Sequence, residues 1–501
     1  MPYNGPMTLN PETLRYILGL KLRRFRREKG YGLKEVAAWA NMSVSYLSEI
    51  EKGKKYPKPE KLVPLARALE VPYEELVSPR FEGDLRPLRM IFESSFIQEF
   101  PFHLYGIELE GLLDLITEAP REAQALVSTA LDIGQLYDVE VEHFLRSALR
   151  SYQVLHRNYF PRIEEAAERF RGRHGWAAGE APTAEALAEI LADEHGIVVD
   201  DEALGTRDEL SDLRAVWVAG SKPQRLLVNG RLLPSQRAFM VAREFAYREL
   251  DLGPRSVSSP PLETTSFDQV IHDFEAAYFS GAVLLDRQAL GRDLETFFAE
   301  PRWSSDAFLE LLGRYQATPE TFFYRLSQLL PGLFGLRELY FVRFHHPHGS
   351  TSYHLTKILN MTQLPIPFGS NAHEHYCRRW PGMGEAETGT RKDAVRVTAQ
   401  RSRFLSKDGG EFLLVTLSRP LALTADTHSS ISLGLRIDDA LKERLAFLDD
   451  PEIPRVDVHL TCERCPLAPE ECAERVAPPA IVERERRQAR RLEALRELME
   501  P

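Results

Sequence analysis

The chain reads as an α+β multidomain protein: an all-α head, a helical connector, an α/β middle, a mixed α/β C-terminal domain and a charged closing helix. Three observations lead there. Hydrophobic residues recur at helical spacing through residues 11–172, helix and strand alternate over 183–330, and strand patterns dominate 336–460. A length of 501 residues with 43% hydrophobic content exceeds what one core usually organises, so about three or four domains are expected. The charge is also divided. The chain carries −11 overall, but residues 1–80 hold 15 Lys or Arg against 9 Asp or Glu, which leaves −17 for the rest. A basic head on an acidic body suits a chain of which one part meets phosphates. No run of roughly 18 apolar residues occurs, and the first residues lack the regions of a signal peptide. A cytoplasmic location without a membrane partner is expected.

The head spans 11–80. Helices are predicted over 20–27, 33–40, 44–52, 59–69 and 73–76. Val36, Ala37, Leu47 and Ile50 face inward, Asn41-Met42-Ser43 forms a left-handed turn, and Ser43 caps the third helix. Ala37 leaves room for a steep crossing of two helices. Ser43, Val44, Ser45, Ser48 and Glu49 would then lie on the side of the third helix that can reach base edges, with Lys52, Lys54 and Lys55 beside phosphates. Arg23, Arg26 and Arg27 lie behind them and suit the same role. The run from Gly19 to Val77, and "VSYLSEIEKGKKYP" above all, resembles the XRE-type helix-turn-helix domains. Leu33 stands where many of them carry Gln. The alternative is a helical bundle that binds a protein.

The connector, 95–172, shows one stripe at Ile107, Leu109, Leu112, Leu113 and Ile116 and another at Phe144, Leu145, Leu149 and Val154; it is a candidate dimerisation region. In the middle, 183–330, strands are predicted over 213–218 and 224–229 and helices over 184–194, 235–250, 267–285 and 305–330. The helix 235–250 carries Arg243-Glu244-Phe245-Ala246-Tyr247. Zinc peptidases place two His four residues apart on such a helix, with a Glu beside the first to activate water. Here those His positions hold Arg243 and Tyr247, and Arg cannot ligate a cation. "LLVNGRLLPSQRAFMVAREFAYREL" and "FEAAYFSGAVLL" nevertheless resemble the ImmA/IrrE-type metallopeptidases, which implies a zincin-like domain. In that family's pattern Glu275 matches the third zinc ligand. A pseudopeptidase follows: Glu244 and Glu275 retained, both His lost, no catalytic residue. The alternative is an ordinary core helix.

In the C-terminal domain, 336–480, strands are predicted over 339–345, 395–400 and 412–418, and residues 481–501 form the charged helix. Its four cysteines are the chain's only ones: Cys377, Cys462, Cys465 and Cys472. Three thiolates within eleven positions can wrap one soft metal centre, with Cys377 as the only available fourth thiolate. Zinc and a [4Fe-4S] cluster both suit such a set. Unliganded buried thiols are the plain alternative. His345, His346, His348, His354, His373 and His375 crowd the same region; ordinary strand or surface residues by number, they include candidates to replace a missing thiolate. Over nearly its whole length, with "NYFPRIEEAAERF" in the connector and "C-x2-C…C-x2-R…PP" near the end, the chain resembles the short-chain fatty acyl transcriptional regulators of bacteria. That resemblance implies an iron–sulfur cluster, favoured here over zinc, and an acyl-CoA effector. The chain departs from it in the six-residue gap before Cys472 and in Pro367, which stands where those regulators carry Cys.

The expected function is a homodimeric, sequence-specific regulator that binds a double-stranded DNA operator. Its C-terminal sensor would answer an acyl-CoA or a redox signal. The rivals are a metalloprotease that cleaves a repressor and a redox sensor without a small-molecule ligand.

Overall fold

A computed structural model describes residues 11–78 and 141–499, apart from 221, 316, 348–349, 351, 368–373, 384–394, 407–408, 422–423 and 425, with residue 104 alone between the two. The stripe at 107–116 lies outside the described residues, as do His348 and His373. The chain divides into two compact units at Ala148/Leu149.

Among residues 11–78 of the first unit five helices enclose one core: α1 (Pro11–Glu28), α2 (Leu33–Trp39), α3 (Val44–Glu51), α4 (Pro59–Ala68) and α5 (Tyr73–Val77). Leu18, Leu22, Phe25, Val36, Ala37, Leu47, Ile50, Leu62, Leu65 and Leu76 fill it, so the predicted inward residues are those buried. Asn41 adopts the left-handed turn conformation, with φ of 50°. The first helix begins nine residues earlier than the sequence suggested. Gly19 on it is fixed by a close approach: a Cβ there would lie 2.6 Å from the Ile50 carbonyl oxygen.

The helix α6 (Val141–Leu155) carries the second connector stripe, of which Leu145 is buried and Val154 is exposed. In the second unit α7 (Pro161–Arg173), α8 (Ala184–His195), α9 (Pro234–Glu249) and α10 (Phe267–Leu284) pack with a small sheet. Its strands are β1 (Ile197–Asp200), β2 (Ala215–Val218), β3 (Gln224–Val228) and β4 (Ser258–Ser259), in the order β1-β3-β2-β4. β1 runs parallel to β3, and the other pairs are antiparallel. Thr183 and Ser266 cap α8 and α10 by accepting backbone N–H groups, each cap contributing about 1 kcal/mol.

Three helices follow: α11 (Arg287–Phe298), α12 (Ser305–Arg314) and α13 (Pro319–Leu333). The helical stretch expected over 305–330 divides in two, because Thr318 caps a new helix that opens on Pro319. These helices pack on the C-terminal sheet rather than on the middle sheet. Phe297, Phe308, Phe322 and Leu329 share a core with Leu339, Phe341, Leu413, Leu417, Ile431 and Leu433. Residues 287–333, expected with the middle, thus share the core of the C-terminal sheet.

The larger sheet comprises β5 (Leu339–Pro347), β6 (His354–Asn360), β7 (Arg396–Phe404), β8 (Gly410–Pro420), β9 (Thr427–Arg436) and β10 (Arg455–Val458), in the order β10-β7-β8-β9-β5-β6. All pairs are antiparallel except β10 with β7. One face takes α11–α13. The other takes Trp380, Cys377, Leu364, Ile366 and Leu460 over Tyr340, Val342, Phe344, Phe412 and Leu414. Gly434 admits the Tyr340 ring, which a Cβ would meet at 2.4 Å. The short helix α14 (Asp439–Arg444) and the closing helix α15 (Ala480–Met499) complete the unit. No described helix is long and apolar enough to cross a membrane.

Candidate nucleic-acid interface, middle cleft and cysteine centre

In the head, the Ser43 hydroxyl accepts the Tyr46 N–H at 3.1 Å and sets the start of α3. Ser43, Val44 and Ser45 are exposed at that end, with Ser48 and Glu49 half-buried one turn on. Lys52, Lys54 and Lys55 are exposed where α3 gives way to its turn. Lys55 pairs with Glu49 at 2.8 Å, so these two candidates are one ion pair rather than separate contacts. Arg26 departs from its expected role. It donates twice to Glu51, at 2.7 and 2.8 Å, and once to the Tyr31 carbonyl, with only 15% of its side chain accessible. It locks α1 to the end of α3 and is not available to a phosphate. The result is a five-helix domain whose third helix presents an open, small-residue N-terminal edge flanked by lysines, the form of a helix-turn-helix DNA-binding domain.

In the middle, α9 places Arg243, Glu244 and Tyr247 on its packed side. Glu244 is buried and takes Arg248 at 2.6 Å and Arg255 at 2.8 Å. Tyr247 donates to Asp273 at 2.6 Å, and Arg243 donates to Asp273 and to the Ser259 hydroxyl at 3.3 and 3.1 Å. The space where these side chains meet the edge strand β4 amounts to a cavity of about 20 Å³. Burial, together with Asp273, pushes the Tyr247 hydroxyl well above its usual range. Glu275 does not join this group. It lies two residues past Asp273, on another side of α10, and takes Arg162 at 2.8 Å. Asp273 is the residue that sequence reasoning missed; aligning motifs does not fix which face of α10 meets α9. With Glu244 held by two cations, Glu244→Gln should cost about 1–3 kcal/mol. Urea unfolding measures this, and an unchanged midpoint would deny Glu244 its structural role.

All four cysteines are buried free thiols. An isolated bridge between Tyr376 and Thr461 sets Cys377 beside Cys462: the Cys377 N–H donates to the Leu460 carbonyl and the Cys462 N–H to that of His375. Glu463 and Arg464, between the first two cysteines of the motif, fasten that segment. Glu463 accepts from the His375 backbone N–H at 2.9 Å and meets its ring Nδ1 at 2.8 Å. Arg464 binds Glu374 through two bonds of 2.7 Å. Arg475 donates to the Cys462 and Leu467 carbonyls and closes the loop that brings Cys472 back. Burial pushes the Cys377 thiol up to about 11, and the Cys462 and Cys465 thiols are near enough to add to it. The four are thus neighbours, but among the described residues no three His, Cys, Asp or Glu side chains are assembled as a ready metal site. His375 is committed to Glu463. His345 and His354 lie on strands, paired across β5 and β6.

The family described as "Helix-turn-helix domain" matches residues 17–78. An uncharacterized HTH-type transcriptional regulator of Sinorhizobium fredii, y4dJ, is 42% identical over 69 residues, 14% of this chain and 90% of its own length. The HTH-type transcriptional regulator PrpR of Mycobacterium tuberculosis is 25% identical over 339 residues, 62% of this chain and 63% of its own. The transcriptional regulator ClgR of the same species is 42% identical over 59 residues, 12% of this chain and 53% of its own. A solved Mycobacterium tuberculosis transcriptional regulator superposes with a TM-score of 0.47 and 23% identity, over 66% of this chain and 92% of that one. The chain belongs to the HTH-type transcriptional regulators.

Proposed function

We propose that this protein binds a specific double-stranded operator as a homodimer and that its second unit is a sensor with a cysteine-held metal centre, answering an acyl-CoA or a redox signal. The observation that carries the DNA-binding part is the exposed start of α3, capped by Ser43 and flanked by Lys52, Lys54 and Lys55. The middle serves architecture or binding rather than hydrolysis; the filling of its cleft by Arg243, Arg255, Tyr247 and Asp273 supports that. The sensor rests on the chemistry of the donor set. Four thiols from two segments suit a soft metal, and Arg379 and Arg475 nearby offset the net negative charge that four thiolates bring. Cys377, Cys462, Cys465 and Cys472 would hold it. A [4Fe-4S] cluster would supply two redox states, whereas zinc would supply a fixed staple.

The head is tested on DNA. Changing Lys54 and Lys55 together to Ala should weaken binding to the protein's own promoter region for all sequences alike and lower the slope of log K against log salt by about 2 for each protomer bound, about 4 for the dimer. Ser45→Ala should instead alter base preference at one position of each half-site. Binding that is unaffected by salt, or a lysine variant with the parent's slope, would remove the assignment.

A further inference from the structure

One end of the helix-covered face of the larger sheet is basic rather than apolar. Along β5 the residues on that face run Leu339, Phe341, Arg343, His345: the first two are core, the next two are not. Lys357 stands directly opposite Arg343 in the β5–β6 register. On β8, Arg419 follows Leu417 on the same face. Arg214, from the turn ahead of β2, comes near enough to feel the same charges. Like charges directly opposed across a sheet destabilise it, and partial burial adds to the cost.

The carboxylates do not balance them. Glu320, in the first turn of α13, accepts from Arg419 at 2.5 Å and is the acid that faces the cluster. Arg343 donates to the Thr356 hydroxyl at 2.9 Å and has no ion pair among the described residues. Arg214 has neither an ion pair nor a side-chain hydrogen bond among them. The Lys357 ammonium sits 3.3 Å from the centre of the Tyr324 ring and 5.9 Å from that of Phe341, cation–π contacts that bring no full counter-charge. The Arg419 Nε and His345 Nε2 atoms are buried without partners. Among the described residues four cations thus share one carboxylate. The amino end of α13 adds its own partial positive charge. Burial, with Arg343 and Arg214 beside it, pulls the Lys357 ammonium down to about 7, as expected where a counter-charge is wanting.

We propose that this end of the sheet, closed over by α13 and the turn before β2, binds a small phosphate-bearing anion through Arg214, Arg343, Lys357 and Arg419. Planar guanidinium forks suit the oxygens of a phosphate, and the lysine serves as a point charge. The site shares no residue with the cysteine centre and goes beyond the sensor reading, since it requires neither metal nor acyl group. Its floor is also a link. Tyr324, under Lys357, accepts a hydrogen bond of 2.6 Å from Gln153 of α6.

Calorimetric titration of the full chain with inorganic pyrophosphate, at constant ionic strength, tests this. One site per chain is expected. Lys357→Met and Arg343→Met should each weaken it by about tenfold or more, while Lys442→Ala, at an exposed cation elsewhere, should leave the affinity as it was. Thermal unfolding without pyrophosphate should find Lys357→Met at least as stable as the parent, so lost binding is not lost folding. Absence of a site, equal affinity in the Lys357 and Arg343 variants, or tighter binding of citrate than of pyrophosphate would overturn the proposal.

Discussion

Replacing Arg325 with Met should destabilise the second unit by about 3–5 kcal/mol. Arg325 and Glu164 are both buried, with 0% and 1% of their side chains accessible. Two parallel bonds of 2.6 and 2.7 Å join them. The remaining capacity is also used: Arg325 donates to the Leu285 carbonyl and to Gln328, and Tyr278 donates to Glu164 at 2.6 Å. Burial alone would raise the Glu164 carboxyl, but Arg325 outweighs it and holds the group below the usual carboxylate range. Removing the cation leaves a charge in a dry site that joins α7, α10 and α13. Glu164→Leu should be similarly costly. The pair Glu164→Leu with Arg325→Met should recover most of the loss, since a buried ion pair and an apolar replacement of like volume differ little. Denaturant midpoints of the four proteins decide it. Additive losses in the double variant would show that the two residues do not act as a unit.

Cys465→Ser should abolish metal binding in the full chain. It should also expose residues 374–380 and 460–475 to proteolysis while the head stays folded. In the proposed centre three of the four thiolates come from one loop, and Cys465 is the middle one. The thiols are not preassembled among the described residues, so in the proposed centre binding free energy would be spent on closing that loop. Structural zinc in small domains contributes roughly 10–16 kcal/mol in this way, so even a fraction of it is large beside the stability of a domain. Iron, sulfide and zinc analysis of anaerobically purified protein identifies the metal. Protein that is metal-free and stable, with four freely titratable thiols, would end the proposal.

The head was legible because its information is local. Val36, Ala37, Leu47 and Ile50 sit within one short stretch, Asn41 marks the turn, and Ser43 caps the next helix; each signal agrees with its neighbours. Arg26 was misread because a basic residue on a basic helix looks solvated until Glu51, 25 residues on, is seen against it. The second unit gave less. β9 escaped notice since "THSSISLGLR" lacks alternation; both faces of that strand are covered, so its serines are buried along with its leucines. Asp273 and Glu275 differ by about 200° around one helix, a distinction that spacing alone cannot make. The basic end of the sheet was invisible for a similar reason: Arg214, Arg343, Lys357 and Arg419 lie on four different elements.

The strand order of the larger sheet also sets a sequence in time. β5 and β6 are neighbours in the chain and can pair as soon as both exist, but the inner edge of β5 is reserved for β9, whose last residue is Arg436. Between the end of β6 and that residue the ribosome must add roughly 76 amino acids, which at about 5–20 residues per second takes roughly 4–15 s. Throughout that interval the hairpin shows an unpaired edge bearing Phe341 and Phe344. The basic pair Arg343–Lys357 lies along the same hairpin, and charges on an open strand are a known guard against joining the wrong partner. β7, β8 and β9, linked by short turns, can form their own meander and receive the waiting hairpin whole. Synthesis from the amino end therefore makes β9 the latch of the sheet, and a slow codon run ahead of residue 427 would lengthen the exposure.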